Sequence, residues 1–348
     1  MYIADMHCDT IMKIWLDRRE GKELYLRDTS KAEAETQIDL EKLLRGGYLL
    51  QNFALYADLH IEDGTSAWTQ FTEMAQIYHA EIAANADVVR EASFFEDIID
   101  NRDAGLLSAV MTVEEGGVLE GDIGRLKLLH DEGVRMMTLT WNYENELGYP
   151  NDLPEGIEED YRQYFKFVPR TDNGLKDKGF EAVEVMEDLG IVVDVSHLSD
   201  AGFYDVAKTL KGPFVASHSN ARVFSGCNRN LTDDMIRTVG EHGGVVGVNF
   251  CPEFLEEGPS EQACQSTIEG ITRHARHMID VGGREAVGLG TDYDGLGECS
   301  LEIANASQMQ RLVEAFEQHG FTADEIEGIC YRNVLNLYAE AMPHRTSA

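Results

Sequence analysis

The stretch DKGFEAVEVMEDLGIVVDVSH, residues 177–197, contains the pattern that decides the fold. Phe180, Val183 and Met186 recur at helical spacing, and Gly190 follows as the residue type that commonly ends helices. The apolar run IVVDV begins at once and has the length and β-branched composition of a buried strand. A helix joined directly to a buried strand is one unit of an alternating α/β pattern.

The same alternation extends along the whole chain. Helical patterns separate eight apolar runs that we predict as strands: Tyr2–Met6, Leu49–Tyr56, Leu107–Val113, Arg135–Thr140, Ile191–Val195, Phe214–Ser217, Val245–Asn249 and Ala286–Gly290. Ser199 and Thr232 are predicted to start helices, because each precedes acidic residues in a first turn. The pattern favours an α/β fold of the (β/α)8 TIM-barrel type. A doubly wound open sheet is the alternative, but no Gly-x-Gly-x-x-Gly loop follows an early strand.

The chain is expected to form one domain. Residues 1–348 fit a single barrel, with an ordered core of about 1–340, because α/β barrels commonly reach this length as one unit. With 43% hydrophobic residues the chain can bury a large core. The acidic segment Gly148–Asp172 breaks the alternation and is predicted as a long βα loop over the active site.

Charge restricts the classes of partner. The formal net charge is −34, from 63 acidic and 29 basic residues, which argues against nucleic acid and anionic membranes as partners. No positively charged apolar leader opens the chain, and no apolar run approaches the roughly 20 residues that cross a bilayer. We therefore expect a cytoplasmic protein. Its six scattered cysteines contain no CxxC pair and are expected to be reduced thiols.

Several predicted strands end in side chains that can bind a metal or carry a proton. In chain order these residues are His7 and Asp9, Glu114 and Glu115, His197, His218, and Asp292 and Asp294. In a (β/α)8 barrel the carboxyl ends of all strands converge on one pocket, although they are far apart in sequence. The sequence therefore predicts a metal cluster at this end of the barrel.

The types of ligand indicate the metal and the reaction. Imidazoles mixed with carboxylates, without thiolates, suit zinc or a similar divalent ion. The candidates outnumber the ligands of one zinc ion and suffice for two ions that share a bridging carboxylate. Such a centre polarises a carbonyl and supplies hydroxide near neutral pH, so hydrolysis of an amide or ester is predicted. Asp292 is best placed to accept and return the proton.

These residues lie in stretches that resemble one known family. DMHCDT, TVEEGG, GLKDKGFEAVEVMEDLGIVVDVSHLS, PFVASHSNAR, NRNLTDDMIR and GLGTDYDG are similar to motifs of the membrane (renal) dipeptidase family, a branch of the amidohydrolase superfamily. The motifs occur in family order and with suitable spacing. The resemblance covers nearly the whole chain, from residue 3 to the NVLNLYAEA tail.

The resemblance implies a (β/α)8 barrel that holds two zinc ions. It implies that His7 and Asp9 bind one ion and that His197 and His218 bind the other. Glu115, directly before the glycine pair, would be the bridging ligand.

Further roles follow from the same resemblance. Asp292 would be the general acid and base, and Arg229 would hold the free carboxylate of the substrate by a charge-assisted contact. Glu114 is the alternative to Glu115, because on an alternating strand only one of the two can face the site. Asp294 is alternatively the cap of a turn.

The chain departs from the family pattern at one position. Renal-type members carry a histidine after the fourth strand, where this chain reads TLTW and places Trp141. Because an indole N–H can only donate and cannot titrate, Trp141 offers less to a developing negative charge. We expect a substrate pocket bounded by Trp141, Asn142, Asn145 and Tyr149.

Three functions are compatible with these residues. The first is a zinc-dependent dipeptidase, which the family suggests accepts a D-residue at the C-terminal position. The second is a related hydrolase of N-acyl amino acids, lactams or other small amides, and the third is a catalytically silent metal-binding homologue. The family resemblance also makes a homodimer an expectation.

Overall fold

The fold was determined from a computed structural model. It describes residues 1–27, 36–151, 171–257, 265–296 and 299–345. Most of the predicted loop Gly148–Asp172 lies outside the described residues, which include only 148–151 and 171–172 of that segment.

A closed ring of parallel strands forms the centre of the described structure. The strands are β1 (Ile3–Asp5), β2 (Tyr48–Tyr56), β3 (Val89–Glu91), β4 (Leu107–Glu114), β5 (Val134–Thr138), β6 (Val192–Asp194), β7 (Val215–Ala216), β8 (Val245–Val248) and β9 (Val287–Leu289). The ring runs β1–β2–β4–β5–β6–β7–β8–β9, and β9 pairs again with β1. The predicted (β/α)8 barrel is therefore confirmed, and the eight predicted runs supply its eight strands among the described residues.

Strand β3 was not predicted. Its three residues, Val-Arg-Glu, contain one apolar side chain and pair only with the beginning of β4, from Leu107 to Ala109. Because β2 pairs with the other edge of β4 from Leu50↔Ser108 to Tyr56↔Glu114, β3 is an addition outside the ring.

Helices cover the outside of the ring. Those formed by the described residues are α1 (Thr10–Arg19), α2 (Leu40–Gly46), α3 (Ala67–Ala84), α4 (Phe95–Asp103), α5 (Arg125–Glu132), α6 (Asp177–Leu189), α7 (Asp200–Thr209), α8 (Asp233–Glu241), α9 (Pro252–Leu255), α10 (Ile268–Gly282), α11 (Met309–Gln318), α12 (Ala323–Glu327) and α13 (Asn333–Ala341). The predicted helix starts are confirmed, because Ser199 accepts a hydrogen bond from Gly202 N and Thr232 accepts one from Met235 N.

The buried apolar residues form two clusters, one inside the barrel and one between its strands and the outer helices. The smaller cluster consists of side chains from one face of successive strands and from α13. It includes Ala4, Leu50, Val110, Met136, Val192, Val215, Val245, Val334, Leu337 and Tyr338. The larger cluster lies between the strands and the helices and includes Met111 and Val113 of β4. Val110 therefore points into the barrel and its neighbours in β4 point outward, which fixes the direction of every later residue of that strand.

Two predictions about cysteines and membrane spans can be compared with the described residues. The five cysteines in the described ranges are free, and Cys264 lies outside those ranges. None of the helices formed by the described residues combines the length and apolar character needed to cross a bilayer.

Close packing between β7 and β8 gives a test of the fold. A Cβ atom at Gly247 would overlap the carbonyl oxygen of Ser217, which belongs to the backbone and cannot rotate away. We expect Gly247→Ala to lower the free energy of unfolding by about 1–3 kcal/mol. In Gly212→Ala, the matched control, the new Cβ meets only the side-chain oxygen of Glu187 at 3.3 Å. Urea unfolding measures both variants, and equal midpoints would contradict this account of the packing.

Candidate metal centre and substrate pocket

The carboxyl ends of five ring strands and their following loops bring six predicted residues together. Three overlapping groups have ligand atoms within 4.8 Å of one another: His7 with Asp9 and Glu114, Glu114 with His197 and His218, and His7 with His218 and Asp292. The rings of His7 and His218 are stacked with centroids 3.8 Å apart. Residues separated by almost 300 positions in the sequence therefore form one compact cluster.

Glu114 occupies the middle of this cluster. Its Oε1 lies 3.0 Å from His197 Nε2 and 3.5 Å from His218 Nε2. Its Oε2 lies 3.6 Å from His7 Nε2, which in turn lies 3.4 Å from Asp9 Oδ2. A single carboxylate thus reaches the imidazoles on both sides of the cluster.

The prediction that Glu115, rather than Glu114, faces the cluster is wrong. Glu114 is the last residue of β4 and has the same parity as Val110, so its side chain points into the barrel. Glu115 follows the strand with φ 93°, a left-handed conformation in which the chain turns away from the strand direction. The preference for the residue next to the glycine pair failed because the strand ends one residue earlier.

Glu115 has a different set of partners. Its carboxylate accepts hydrogen bonds from Gly117 N at 2.6 Å, Trp141 N at 2.8 Å and Asn145 Nδ2 at 2.5 Å. Complete burial raises the pKa of Glu115 to about 7, although these donors oppose the shift. Glu115 therefore holds the loop after β5 against the end of β4.

The far nitrogens of two histidines are fixed by hydrogen bonds. His197 Nδ1 lies 2.9 Å from Asn142 Oδ1, an acceptor, and His218 Nδ1 lies 2.7 Å from Ser217 Oγ. The Ser217 hydroxyl donates to Asp194 Oδ2 at 2.5 Å and so accepts from the imidazole. Both rings therefore carry their proton on Nδ1 and present the lone pair of Nε2 to the cluster.

This arrangement indicates that a cation belongs between the side chains. His197 Nε2 and His218 Nε2 are 3.0 Å apart, and both face Glu114 Oε1. Burial and then the nearby Arg229 lower the pKa of His197 to about 4, and burial also lowers the pKa of His218, so both rings are neutral. Lone pairs and a carboxylate at these distances repel one another unless a positive ion lies among them.

The other side of the cluster contains unpaired buried atoms. Within the described part of the chain, His7 Nε2 and Asp9 Oδ1 have no hydrogen-bond partner although both are buried. Burial disfavours the charged form of His7, but Glu114 and Asp9 outweigh it and raise the pKa of that imidazole. Nitrogen and carboxylate oxygen donors of this kind fit zinc.

Asp292 lies at the edge of the cluster. Its Oδ1 is 3.8 Å from His7 Nε2, and its Oδ2 accepts a hydrogen bond from Asn249 Nδ2 at 3.0 Å. Burial raises the pKa of Asp292 above its usual range. Its side chain is 16% exposed and that of Glu114 only 5%, so Asp292 combines contact with the cluster and access to solvent.

Arg229 is buried beside the cluster. Its Nη1 donates to Ser219 Oγ at 3.4 Å and its Nη2 to His218 O at 3.3 Å, and its guanidinium lies over the ring of Phe254. As far as the structure is described, Nε has no hydrogen-bond partner and no carboxylate lies within 4.0 Å of the guanidinium. A buried cation with free donor capacity suits a carboxylate ligand.

Of the remaining predicted pocket residues, Trp141 and Asn142 lie beside His197, whereas Asn145 and Tyr149 have other partners. Trp141 is half-buried, and its ring lies 5.9 Å from that of His197 between centroids. Asn142 contacts His197, whereas Asn145 is buried and ties Glu115 to the backbone at Leu147 and Gly148. Lys176 Nζ lies 4.7 Å from the centroid of the Tyr149 ring. The contact of Tyr149 with substrate stays a prediction.

Asp294 lies apart from the metal cluster. It accepts hydrogen bonds from Thr10 Oγ1 and from the backbone at Gln37 and Ile38. These contacts support the alternative, a structural role for Asp294.

Two buried carboxylates behind the site were missed in the sequence. Asp194 accepts from Ser196 N, Ser217 N and Ser217 Oγ, and Asp5 accepts from Thr291 N and Thr291 Oγ1. They connect the ends of neighbouring strands beneath His197, His218 and His7. Each is a carboxylate inside an apolar strand, and this signal in IAD and IVVDV could have identified them.

Several known proteins are similar to this chain in sequence or structure. The chain is 30% identical to an uncharacterized dipeptidase of Schizosaccharomyces pombe over 239 residues, which are 68% of this chain and 54% of that protein. The crystal structure of dipeptidase AC, a metallopeptidase of family M19, matches with a TM-score of 0.85 and 25% identity over 98% of this chain and 99% of that one. A metallopeptidase of Rhodobacter sphaeroides, liganded with a phosphinate mimic of the dipeptide L-Ala-D-Ala, matches with a TM-score of 0.84 and 23% identity over 98% and 99%.

The family model gives the broadest match. The model of the membrane dipeptidases, peptidase family M19, matches residues 1–347. In this barrel the cluster of histidines and carboxylates lies at the carboxyl ends of the strands, where TIM-barrel enzymes have their active sites. The chain belongs to the membrane dipeptidase family, peptidase family M19, and is a metal-dependent hydrolase.

Proposed function

We propose that the protein is a dizinc dipeptidase in which Glu114 bridges the two ions. The observation that carries the proposal is the meeting of His197 Nε2, His218 Nε2 and Glu114 Oε1 within 3.5 Å, with the lone pairs of both imidazoles directed inward. His7 and Asp9, with their unpaired buried atoms, offer a second set of ligands to the same carboxylate.

The donor set divides naturally between two ions. His7, Asp9 and Glu114 Oε2 would hold one zinc ion, and His197, His218 and Glu114 Oε1 the other. Bound zinc would polarise the scissile carbonyl and lower the pKa of a bound water toward neutrality.

Asp292 would carry the proton of the reaction. When the oxygen of water forms a bond to the carbonyl carbon, Asp292 accepts the proton of that water. It then donates this proton to the leaving amine as the C–N bond breaks. A carboxylate at the exposed edge, held by Asn249 Nδ2, can take part in both transfers without leaving its position.

Arg229 would bind the C-terminal carboxylate of the dipeptide. Its guanidinium is buried beside the cluster and is fixed by Ser219 and the His218 carbonyl. Because a free carboxylate at the end of the substrate is then required, short peptides and acyl amino acids fit better than internal segments of proteins.

The proposal includes acceptance of a D-residue at the C-terminal position. Its support is the phosphinate mimic of L-Ala-D-Ala bound by the structurally similar Rhodobacter sphaeroides metallopeptidase. The cytoplasmic location and the homodimer stay predictions from the sequence.

Metal removal and restoration test the function. We expect chelated protein to lose hydrolysis of L-Ala-L-Ala and L-Ala-D-Ala, and added zinc to restore both, because the ligands form no alternative catalytic group without a cation. N-Acetyl-L-Ala serves as the comparison substrate for the acyl amino acid alternative. Zinc binding with inert dipeptides but cleaved N-acetyl-L-Ala would replace the proposed substrate, and dipeptide cleavage unaffected by chelation would contradict the mechanism.

Arg229→Met tests the recognition of the carboxylate. Loss of a charge-assisted contact should raise KM for L-Ala-L-Ala by roughly 10-fold to 100-fold, since hydrogen bonds to charged groups contribute about 1.5–3 kcal/mol. The amidated substrate L-Ala-L-Ala-NH2 lacks the carboxylate and should be affected little by the same change. Steady-state kinetics on both substrates at equal zinc content make the comparison. Equal losses for both would show that Arg229 only supports the structure.

A further inference from the structure

Aromatic rings form a continuous row beside the metal centre. The ring of Trp141 lies 4.9 Å from that of Tyr56 and 5.1 Å from that of Tyr143, and Tyr143 lies 3.9 Å from His60 between centroids. We call Tyr56, Trp141 and Tyr143 the aromatic row. All three residues are partly exposed, and they lie at or after the carboxyl ends of β2 and β5.

The order of strands places the Tyr56 end of this row across the barrel from Arg229. Tyr56 ends β2 and Trp141 follows β5, whereas Arg229 lies in the connection that follows β7. In the closed ring of eight strands, β2 and β7 are four positions apart and therefore opposite. The strands that carry His7, Glu114 and His197 lie between β2 and β7 around the ring, so the metal cluster separates Tyr56 from Arg229. Trp141 follows β5, two positions from β7, and its ring lies beside that of His197.

The aromatic row is held in place before any substrate binds. Trp141 N donates to the Glu115 carboxylate at 2.8 Å, and that carboxylate also binds Gly117 N and Asn145 Nδ2. The Trp141 ring packs between Tyr56, Tyr143 and His197. A fixed apolar surface of this kind binds apolar groups without the entropic cost of ordering a mobile loop.

We propose that the aromatic row binds the side chain of the N-terminal residue and makes the enzyme prefer dipeptides with a large apolar or aromatic first residue. The inference rests on the proposed function, because Arg229 must hold the C-terminal carboxylate and the metal centre the scissile carbonyl. A dipeptide seated in this way extends its first residue toward β2 and β5. The second residue stays on the side of Arg229 and does not reach the aromatic row.

Three dipeptides and one substitution test this assignment. The wild-type enzyme should cleave L-Phe-L-Ala with higher kcat/KM than Gly-L-Ala. Trp141→Ala should lower kcat/KM for L-Phe-L-Ala by roughly 10-fold or more, since a few methylene groups in a pocket already discriminate by such factors. The same variant should change the values for Gly-L-Ala and L-Ala-L-Phe by much less.

Other variants separate recognition from loss of structure. Trp141→Phe keeps a ring and should retain most of the preference, and Tyr143→Ala should weaken it without touching a proposed ligand. Tyr204→Ala removes a partly exposed ring on α7, where the hydroxyl contacts Asp234, and should leave the preference unchanged. Zinc content is measured for every variant, because Trp141 also contacts His197.

The outcomes distinguish this inference from the proposed function. If no dipeptide is cleaved by the zinc-loaded enzyme, the proposed function has failed. If dipeptides are cleaved but Trp141→Ala affects L-Phe-L-Ala and Gly-L-Ala alike, or improves L-Phe-L-Ala, the aromatic row is not a site for the first side chain. A selective loss on L-Ala-L-Phe would place the second residue there and would also overturn the inference.

Discussion

The Glu114 carboxylate lies buried among three imidazoles, 3.0 Å from His197 Nε2, 3.5 Å from His218 Nε2 and 3.6 Å from His7 Nε2. Its position follows from the barrel: β4 pairs with β2 through Tyr56↔Glu114, and the inward direction of Val110 sets that of Glu114 four residues later. The imidazoles approach this carboxylate because β1, β6 and β7 end at the same level of a closed ring. Burial of so many polar atoms is stable only when cations or hydrogen bonds compensate them. In the proposed function, zinc ions would supply this compensation at Glu114.

The neighbouring Glu115 connects the end of β4 to the loop that follows β5. One residue further along the chain, its carboxylate points away from the imidazoles and binds Gly117 N, Trp141 N and Asn145 Nδ2. The loop fixed in this way carries Asn142, which orients His197, and Trp141, whose ring lies beside that of His197. Two adjacent glutamates thus have separate contacts, one with the imidazoles of the cluster and one with the loop after β5.

The fold was predictable because each barrel strand is an apolar run bounded by a helix signal, whereas β3 has only Val89 to mark it. The cluster of His7, His197 and His218 was predictable because strand ends converge in a barrel. The sequence did not predict which of Glu114 and Glu115 faces the cluster. That depends on the residue at which β4 ends, and a shift of one residue reverses the direction of the side chain. The contact between Asn142 and His197 spans 55 positions and depends on how a loop folds. No local pattern contains that information.

The zinc content of the protein tests the role of Glu114 most directly, with Glu115 as the matched neighbour. Equilibrium dialysis against buffered zinc should give about two ions per chain for the wild type and for Glu115→Gln, since that change leaves the proposed ligands in place. Glu114→Gln should retain less than about one ion per chain, because both proposed sites lose an anionic ligand. Full zinc occupancy in Glu114→Gln, together with loss in Glu115→Gln, would contradict the central role of Glu114 in binding both ions.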